Sequence, residues 1–200
     1  MNQFYFWGMK LKNEKKAAIS RESRTPYVVL GMLAMGPGTG YEVRERIANS
    51  TGHFWQESYG QLYPALLNLK RAGQVRSRPV PGGQRGAERY EITPRGRAAL
   101  RAWLRRPPAL QPERNELLLK VFFADLEPEA ILEHIKAEEI RARAALEALR
   151  AVRANLNRRC SDAPALPAWL ATVDYGVDSL TAVARWSTRQ SRSLRRLMNS

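Results

Sequence analysis

Two carboxamides, Gln61 and Asn68, sit seven residues apart in the stretch Ser58-Tyr-Gly-Gln-Leu-Tyr-Pro-Ala-Leu-Leu-Asn-Leu-Lys-Arg-Ala-Gly73. Seven residues are about two helical turns, so on a helix the two side chains share a face. An amide carries a donor beside an acceptor, the pattern that pairs with an adenine edge in a DNA major groove; a bidentate pair is worth roughly 1–3 kcal/mol of base discrimination. Ala65 lies between them on the face this spacing defines, with Tyr59 and Gly60 at its amino end. Ser58 and Tyr59 stand where a helix amino end meets a phosphate; Ser58 could equally serve only as the helix cap. Tyr63 could reach phosphate through its hydroxyl or pack against the first helix. Lys70, Arg71, Arg85 and Arg89 are candidates for phosphate contacts. For Arg85, at the tip of a glycine-rich turn, the minor groove is the expected destination.

These side chains need a scaffold, and the surrounding pattern supplies one. Leu62, Leu66 and Leu69 recur at i, i+4 and i+7 and form a buried stripe opposite the amides. Gly73 stops the helix. Pro64 removes a backbone bond inside it, so either the helix bends near Gly60 or its regular part starts later than Ser58. Upstream, Pro26 opens the apolar run Tyr27-Val-Val-Leu-Gly-Met-Leu-Ala-Met35, read as a buried helix capped by Thr25. Gly36-Pro-Gly-Thr-Gly40 breaks it. Tyr41 to Ser50 reads as a second helix, with Val43 and Ile47 inward and Glu42, Arg44, Glu45 and Arg46 on its wet side. Thr51 to Trp55 is the turn before the amide-bearing helix. After it come two strand-like runs, Val75 to Val80 and Arg89 to Thr93, joined by Pro81-Gly-Gly-Gln-Arg-Gly86. Thr93 caps a further helix, Pro94 to about Arg105. A short helix with one buried face followed by a basic-tipped hairpin is the layout of a winged helix-turn-helix.

Pro107, Pro108 and Pro112 mark a linker. Beyond it the chain reads as helical. Asn115 to Leu126 is mainly apolar. Pro128 opens a long helix to about Asn157 with the stripe Leu132, Ile135, Ala142, Leu149 and Leu156, flanked by Ala145 and Val152. Ala168 to about Met198 is the last helix, striped by Leu170, Val173, Val177, Leu180 and Ala184. Apolar seams with little else to cover them predict dimerisation through this region. Arg185, Arg189, Arg192 and Arg196 share a face of the last helix, with Arg195 beside them. They could supplement DNA binding, contact the acidic part of the helical region, or simply be solvated.

Charge supports the division. The formal net charge is +14 over 200 residues. Residues 21–106 hold 15 basic and 6 acidic side chains, whereas residues 107–200 hold 14 and 12. The excess sits on the hairpin-bearing half, where counterion release from phosphates would use it. An apolar content of 44% with five tryptophans excludes a disordered chain. Cys160 is the single cysteine, so no intrachain disulfide forms, as in a reducing cytosol. His53 and His134 have no companions at metal-ligand spacing, and no phosphate loop or nucleophile motif stands out. The expectation is a non-enzymatic, cytoplasmic protein without metal or cofactor. No apolar run reaches membrane-spanning length, and the cluster Phe4-Tyr-Phe-Trp7 followed by lysines has the wrong order for a secretory signal. Residues 1–24 are a basic, partly aromatic extension of open role.

The order of these pieces resembles the PadR family of bacterial transcriptional regulators. The resemblance rests on Leu30-Gly31, Gly40-Tyr-Glu42, Ser58 to Leu66, and the wing-to-helix join Arg89-Tyr-Glu-Ile-Thr-Pro-Arg-Gly96. It covers about residues 24–106. The tail is similar by layout to a longer subgroup with an α-helical domain related to virulence activators. One departure is Gln61, where many members carry Thr. The resemblance implies a mainly α fold with a small β wing: a winged helix-turn-helix at 25–106 and an α-helical dimerisation and effector domain at 107–200. It further implies a homodimer on a roughly palindromic operator, most simply a repressor released by a small-molecule effector. Family members sense phenolic or drug-like molecules, and Trp103, Phe122, Phe123, Trp169 and Trp186 could line such an apolar cavity or be core packing. The competing readings are a basic helical adaptor that binds RNA or protein without reading DNA sequence, and an activator scaffold.

Overall fold

The computed structural model describes residues 23–55, 59–82, 87–109 and 114–198. Two compact units divide between Pro112 and Glu113, beyond the expected boundary at 106.

The first unit is built around α1 (Thr25–Met35). This helix is apolar on nearly every side, and such a helix is stable only when surrounded. Accordingly α2 (Gly40–Ser50), α3 (Tyr59–Arg71), β3 (Glu88–Ile92) and α4 (Pro94–Leu104) all pack on it. Val29, Leu30 and Leu33 are almost fully buried with Val43, Leu62 and Leu66. Thr25 is not the cap expected: Arg24 holds that position, and Thr25 is the buried first residue of the helix. Its hydroxyl is used across the core instead, donating to Gln61 Oε1 at 3.3 Å.

A short strand, β1 (Gly38–Thr39), runs through the expected break after α1. With β2 (Val75–Pro79) and β3 it forms an antiparallel sheet in the order β1-β3-β2, with Ser77 opposite Tyr90 and Arg78 opposite Arg89. Two residues of strand are too few to show a period-two pattern in sequence. Thr39 then caps α2 in a full capping box: its hydroxyl accepts from Glu42 N–H while the Glu42 carboxylate accepts from Thr39 N–H at 2.7 Å. The wet side expected for α2 is therefore partly structural. Glu42 closes the cap. The Arg46 guanidinium donates to the carbonyls of Met32, Gly36 and Pro37, which α1 leaves without helical partners at its end.

The join between α3, the sheet and α4 is tight. α3 ends in a Schellman motif: Gly73 N–H bonds Lys70 O and Gln74 N–H bonds Leu69 O, with Gly73 at φ +66°. Thr93 caps α4 through Gly96 N–H, as expected, and its hydroxyl also bonds the carbonyls of Gly73 and Gln74. Gly96 lies so close to that carbonyl that a Cβ there would stand 2.1 Å from Gln74 O.

The second unit is a helical hairpin with a short leading helix. α5 (Glu116–Phe122) is capped by Asn115 and ends earlier than the Leu126 expected. α6 (Pro128–Arg159) and α7 (Leu166–Met198) run antiparallel, as the cross-pairs Arg153–Asp174 at 2.7 Å and Arg143–Thr188 at 3.3 Å show. The seam buries Ile131, Leu132, Ile135, Ala142, Leu146 and Leu149 against Val173, Ala184 and Ser187. Ile131 and Leu146 belong to it although the expected stripe omitted them. Leu156 is half-buried and Val152 exposed, because the seam weakens toward the far end of α6.

Gly96→Ala is expected to destabilise the first unit by roughly 1–3 kcal/mol through overpacking against Gln74. Gly73→Ala, whose Cβ meets open space, should cost about 1 kcal/mol from the left-handed backbone alone. Urea unfolding of the two variants measures the difference, and equal costs would remove the steric explanation.

Candidate nucleic-acid interface

α3 is divided cleanly by burial. Leu62, Ala65, Leu66 and Leu69 face the core. Gly60, Gln61, Tyr63, Pro64, Leu67, Asn68, Lys70 and Arg71 are exposed. Ala65 therefore corrects the reading that placed it among the amides: it is 6% exposed and fills the core between the leucines. Pro64 sits inside a helix that is continuous from Tyr59, so the missing donor costs only the bond to Gly60, one turn from the start. Gln61 and Asn68 share the outer face. Gln61 is anchored by its bond from Thr25, while Asn68 is exposed to solvent.

Tyr63 packs on the start of α2. A Cβ on Gly40 would lie 2.6 Å from its ring, so Gly40 is what admits it. More than half of Tyr63 stays open, beside Leu67, which sequence reading missed. Ser58 and Arg85 lie outside the described residues. Tyr59 opens the α3 backbone, and its side chain also lies outside them.

The sheet sorts the cations by face. Alternation along β2 and β3 turns Val75, Tyr90 and Ile92 into the core and Arg76, Arg78 and Arg89 outward. These three line a groove of about 370 Å³ with Pro37 and Glu91. Arg76 and Arg78 were absent from the sequence-derived candidates, although strict alternation from Val75 predicts their outward direction. Three of the exposed cations are tied down. Lys70 bonds Glu88 at 2.7 Å, Arg89 bonds Glu42 at 3.0 Å and Arg76 bonds Glu91 at 2.8 Å. Arg71 and Arg78 have no ion pair among the described residues.

Glu88 is the centre of a small network, accepting from Lys70, from Ser77 at 2.9 Å and from the Tyr90 hydroxyl at 3.1 Å. The bonds from Lys70 and then Ser77 hold its carboxyl below the usual range. Glu42 is likewise lowered, first by the Thr39 backbone donor and then by Arg89. Burial, then the bond to Glu88, pushes the Tyr90 phenol up to about 12.

Of the five aromatic residues considered for an effector cavity, Trp103 lies in the first unit and Phe122, Phe123, Trp169 and Trp186 lie in the second. Trp103 stacks on Tyr27 in the first unit, ring centroids 4.8 Å apart. Phe122 and Phe123 touch edge to face and are 70% and 52% exposed. Trp169 and Trp186 are half-buried on α7, about 25 Å apart along its axis at 1.5 Å per residue. Arg185, Arg189, Arg192 and Arg196 are all exposed on α7. No cluster of metal-ligating side chains occurs among the described residues, and no helix there is long and apolar enough to cross a membrane.

Two family profiles match the chain. Residues 29–102 match the transcriptional regulator PadR-like family and residues 113–195 the virulence activator alpha C-term family. The negative transcriptional regulator PadR of Bacillus subtilis is 30% identical over 99 residues, covering 48% of this chain and 54% of that protein. A probable transcriptional regulator of Mycobacterium tuberculosis is 32% identical over 90 residues, covering 44% and 47%. The chain thus matches only about half the length of these curated relatives. These families and relatives are regulators and not enzymes. Among solved structures, Bacillus subtilis PadR in complex with operator DNA superposes with a TM-score of 0.75 at 21% identity, over 86% of this chain and 99% of that one. The Vibrio cholerae virulence activator AphA gives 0.70 at 21%, again over 86% and 99%. The same Bacillus protein has a structure with p-coumaric acid, TM-score 0.71 at 21% identity over 86% and 96%. At such identities the likeness is one of fold.

A phenol whose folded pKa lies above its unfolded value stabilises the fold fully below the unfolded pKa and loses that contribution as pH rises through the folded one. The first unit should therefore lose stability between pH 10 and about 12 as Tyr90 titrates. Tyr90→Phe should flatten that limb of a thermal melting series; an unchanged slope would place the alkaline transition elsewhere.

Proposed function

We propose that this chain, which joins a PadR-like family domain at residues 29–102 to a virulence activator α C-terminal domain at residues 113–195, is a sequence-specific DNA-binding regulator of transcription. The observation that carries the reading is the outer face of α3. It presents Gln61, Asn68 and Arg71 in one exposed row, backed by a leucine core. The arginine-bearing sheet of the same unit supplies Arg78 and Arg89 for the phosphates. A helix of this kind fits the major groove. Gln61 and Asn68 read base edges, while Lys70, Arg71, Arg78 and Arg89 take phosphates, with Ser58, Tyr59 and Tyr63 at the amino end and Arg85 at the wing tip. Lys70 and Arg89 exchange a carboxylate for a phosphate on binding, which adds electrostatic strength only where the phosphate geometry is better.

The protein acts as a homodimer on a roughly palindromic operator with half-sites about 34–36 Å apart or a multiple of that. The exposed apolar row Leu118, Leu119, Phe122 and Leu126 in the helical unit supports an association surface. Repression is favoured by the negative regulator among the relatives, and release by a small molecule by the p-coumaric acid complex of the Bacillus protein. A reader of this kind works in the cytoplasm, where its DNA is.

Selection of bound sequences from a random duplex pool should yield a two-fold site preferred by about 10³ or more over random DNA. Binding that depends only on salt, with no enriched site, would instead fit a basic adaptor. On the selected site, Gln61→Ala should relax preference at one base position at a cost of about 1–3 kcal/mol, whereas Arg71→Ala should weaken all sequences alike and lower the salt slope by about 1.

A further inference from the structure

The helical unit contains a concave site that DNA reading does not use. Between α6 and α7 lies a groove of about 570 Å³, within the range of roughly 300–1,000 Å³ that small molecules occupy. Leu146 and Ala184 line it from opposite helices and are almost wholly buried, which gives it an apolar floor. Its walls are cationic: Arg143 and Arg150 from α6, Arg185 and Arg189 from α7. Arg143 is held by Glu139 at 2.8 Å and Arg150 by Glu147 at 2.7 Å. Arg185 and Arg189, one turn apart, are exposed and have no ion pair among the described residues. Arg192 adds its field at Glu139. Four guanidiniums against two carboxylates leave at least two uncompensated positive charges over an apolar floor.

A single carboxylate would neutralise one of those charges. A phosphate ester carries about −1.5 to −2 at neutral pH and offers three acceptor oxygens, to which planar guanidinium forks donate in bidentate fashion. We propose that this groove binds a phosphate ester, its phosphoryl group held between Arg185 and Arg189 and an apolar or aromatic body lying on Leu146 and Ala184. The site deepens the effector part of the proposed function, and its regulatory meaning rests on that reading; the binding itself does not.

Isothermal titration of the full chain with 1-naphthyl phosphate, 1-naphthol and inorganic phosphate tests the assignment. Naphthyl phosphate should bind at least tenfold more tightly than either fragment. Arg185→Gln combined with Arg189→Gln should lower that affinity tenfold or more with the melting temperature unchanged, while Arg158→Gln, exposed on α6 outside the groove, should leave it unaltered. Equal binding of naphthol, equal binding of phosphate alone, or indifference to the double variant would each overturn the proposal. So would a double variant that weakens duplex DNA and spares naphthyl phosphate, since the face would then be a nucleic-acid surface. Naphthyl phosphate bound as expected by a protein that selects no DNA site would sink the regulator reading and leave the groove assignment standing.

Discussion

The first unit depends on one crowded junction. The carbonyls of Gly73 and Gln74 close the end of α3, and the Thr93 hydroxyl that caps α4 bonds both. Gly96 presses on the same Gln74 carbonyl at a distance no side chain tolerates. The end of α3, the start of β2 and the start of α4 are thereby fixed to one another. Because β2 also begins there, the direction of the sheet relative to α3 follows from the same few atoms. The exposed face of α3 is a usable surface only because its far side is clamped at this point and filled by Leu62, Leu66 and Leu69.

Electrostatics around that surface are arranged by tethering. Carboxylates on α2 and β3 take up Arg89, Lys70 and Arg76, and among the described residues Arg71 and Arg78 have no such partner. Exposed pairs of this kind contribute little to stability, roughly 0–1 kcal/mol each. Their effect is on position: they hold long side chains on the sheet and near α3 in a narrow set of rotamers. Glu88 does this most, since it also accepts from Ser77 and Tyr90 and so links the open end of α3 to the buried face of the sheet. The helical unit uses charge differently. Its pairs are mostly within one helix, at i+3 or i+4, and leave Arg185 and Arg189 without an ion pair among the described residues, beside a concave floor.

Much of this was legible in the chain. Periodicity placed all three leucines of α3, and Thr93-Pro-x-Gly96 announced both the cap and the tight helix start. Alternation in the hairpin was sufficient to turn Arg76 and Arg78 outward. Other features could not be read locally. β1 is two residues long and exists because β3 pairs with it. Arg46 looks like any charged residue on a wet helix face until the end of α1 is brought beside it. Trp169 and Trp186, grouped by chemistry, stand 17 residues apart on one long helix, a separation that follows only once α7 is known to be continuous.

The sequence by itself determined the order of elements, the leucine face of α3, part of the buried stripe of α6 and α7, and the concentration of basic residues in the first unit, because these follow from local periodicity and charge counting. Tertiary structure decided which cations are held and which are free, which tyrosine packs on which glycine, and where a groove opens between α6 and α7. Those outcomes depend on distances between residues far apart in the chain, and such distances are set only when the cores close.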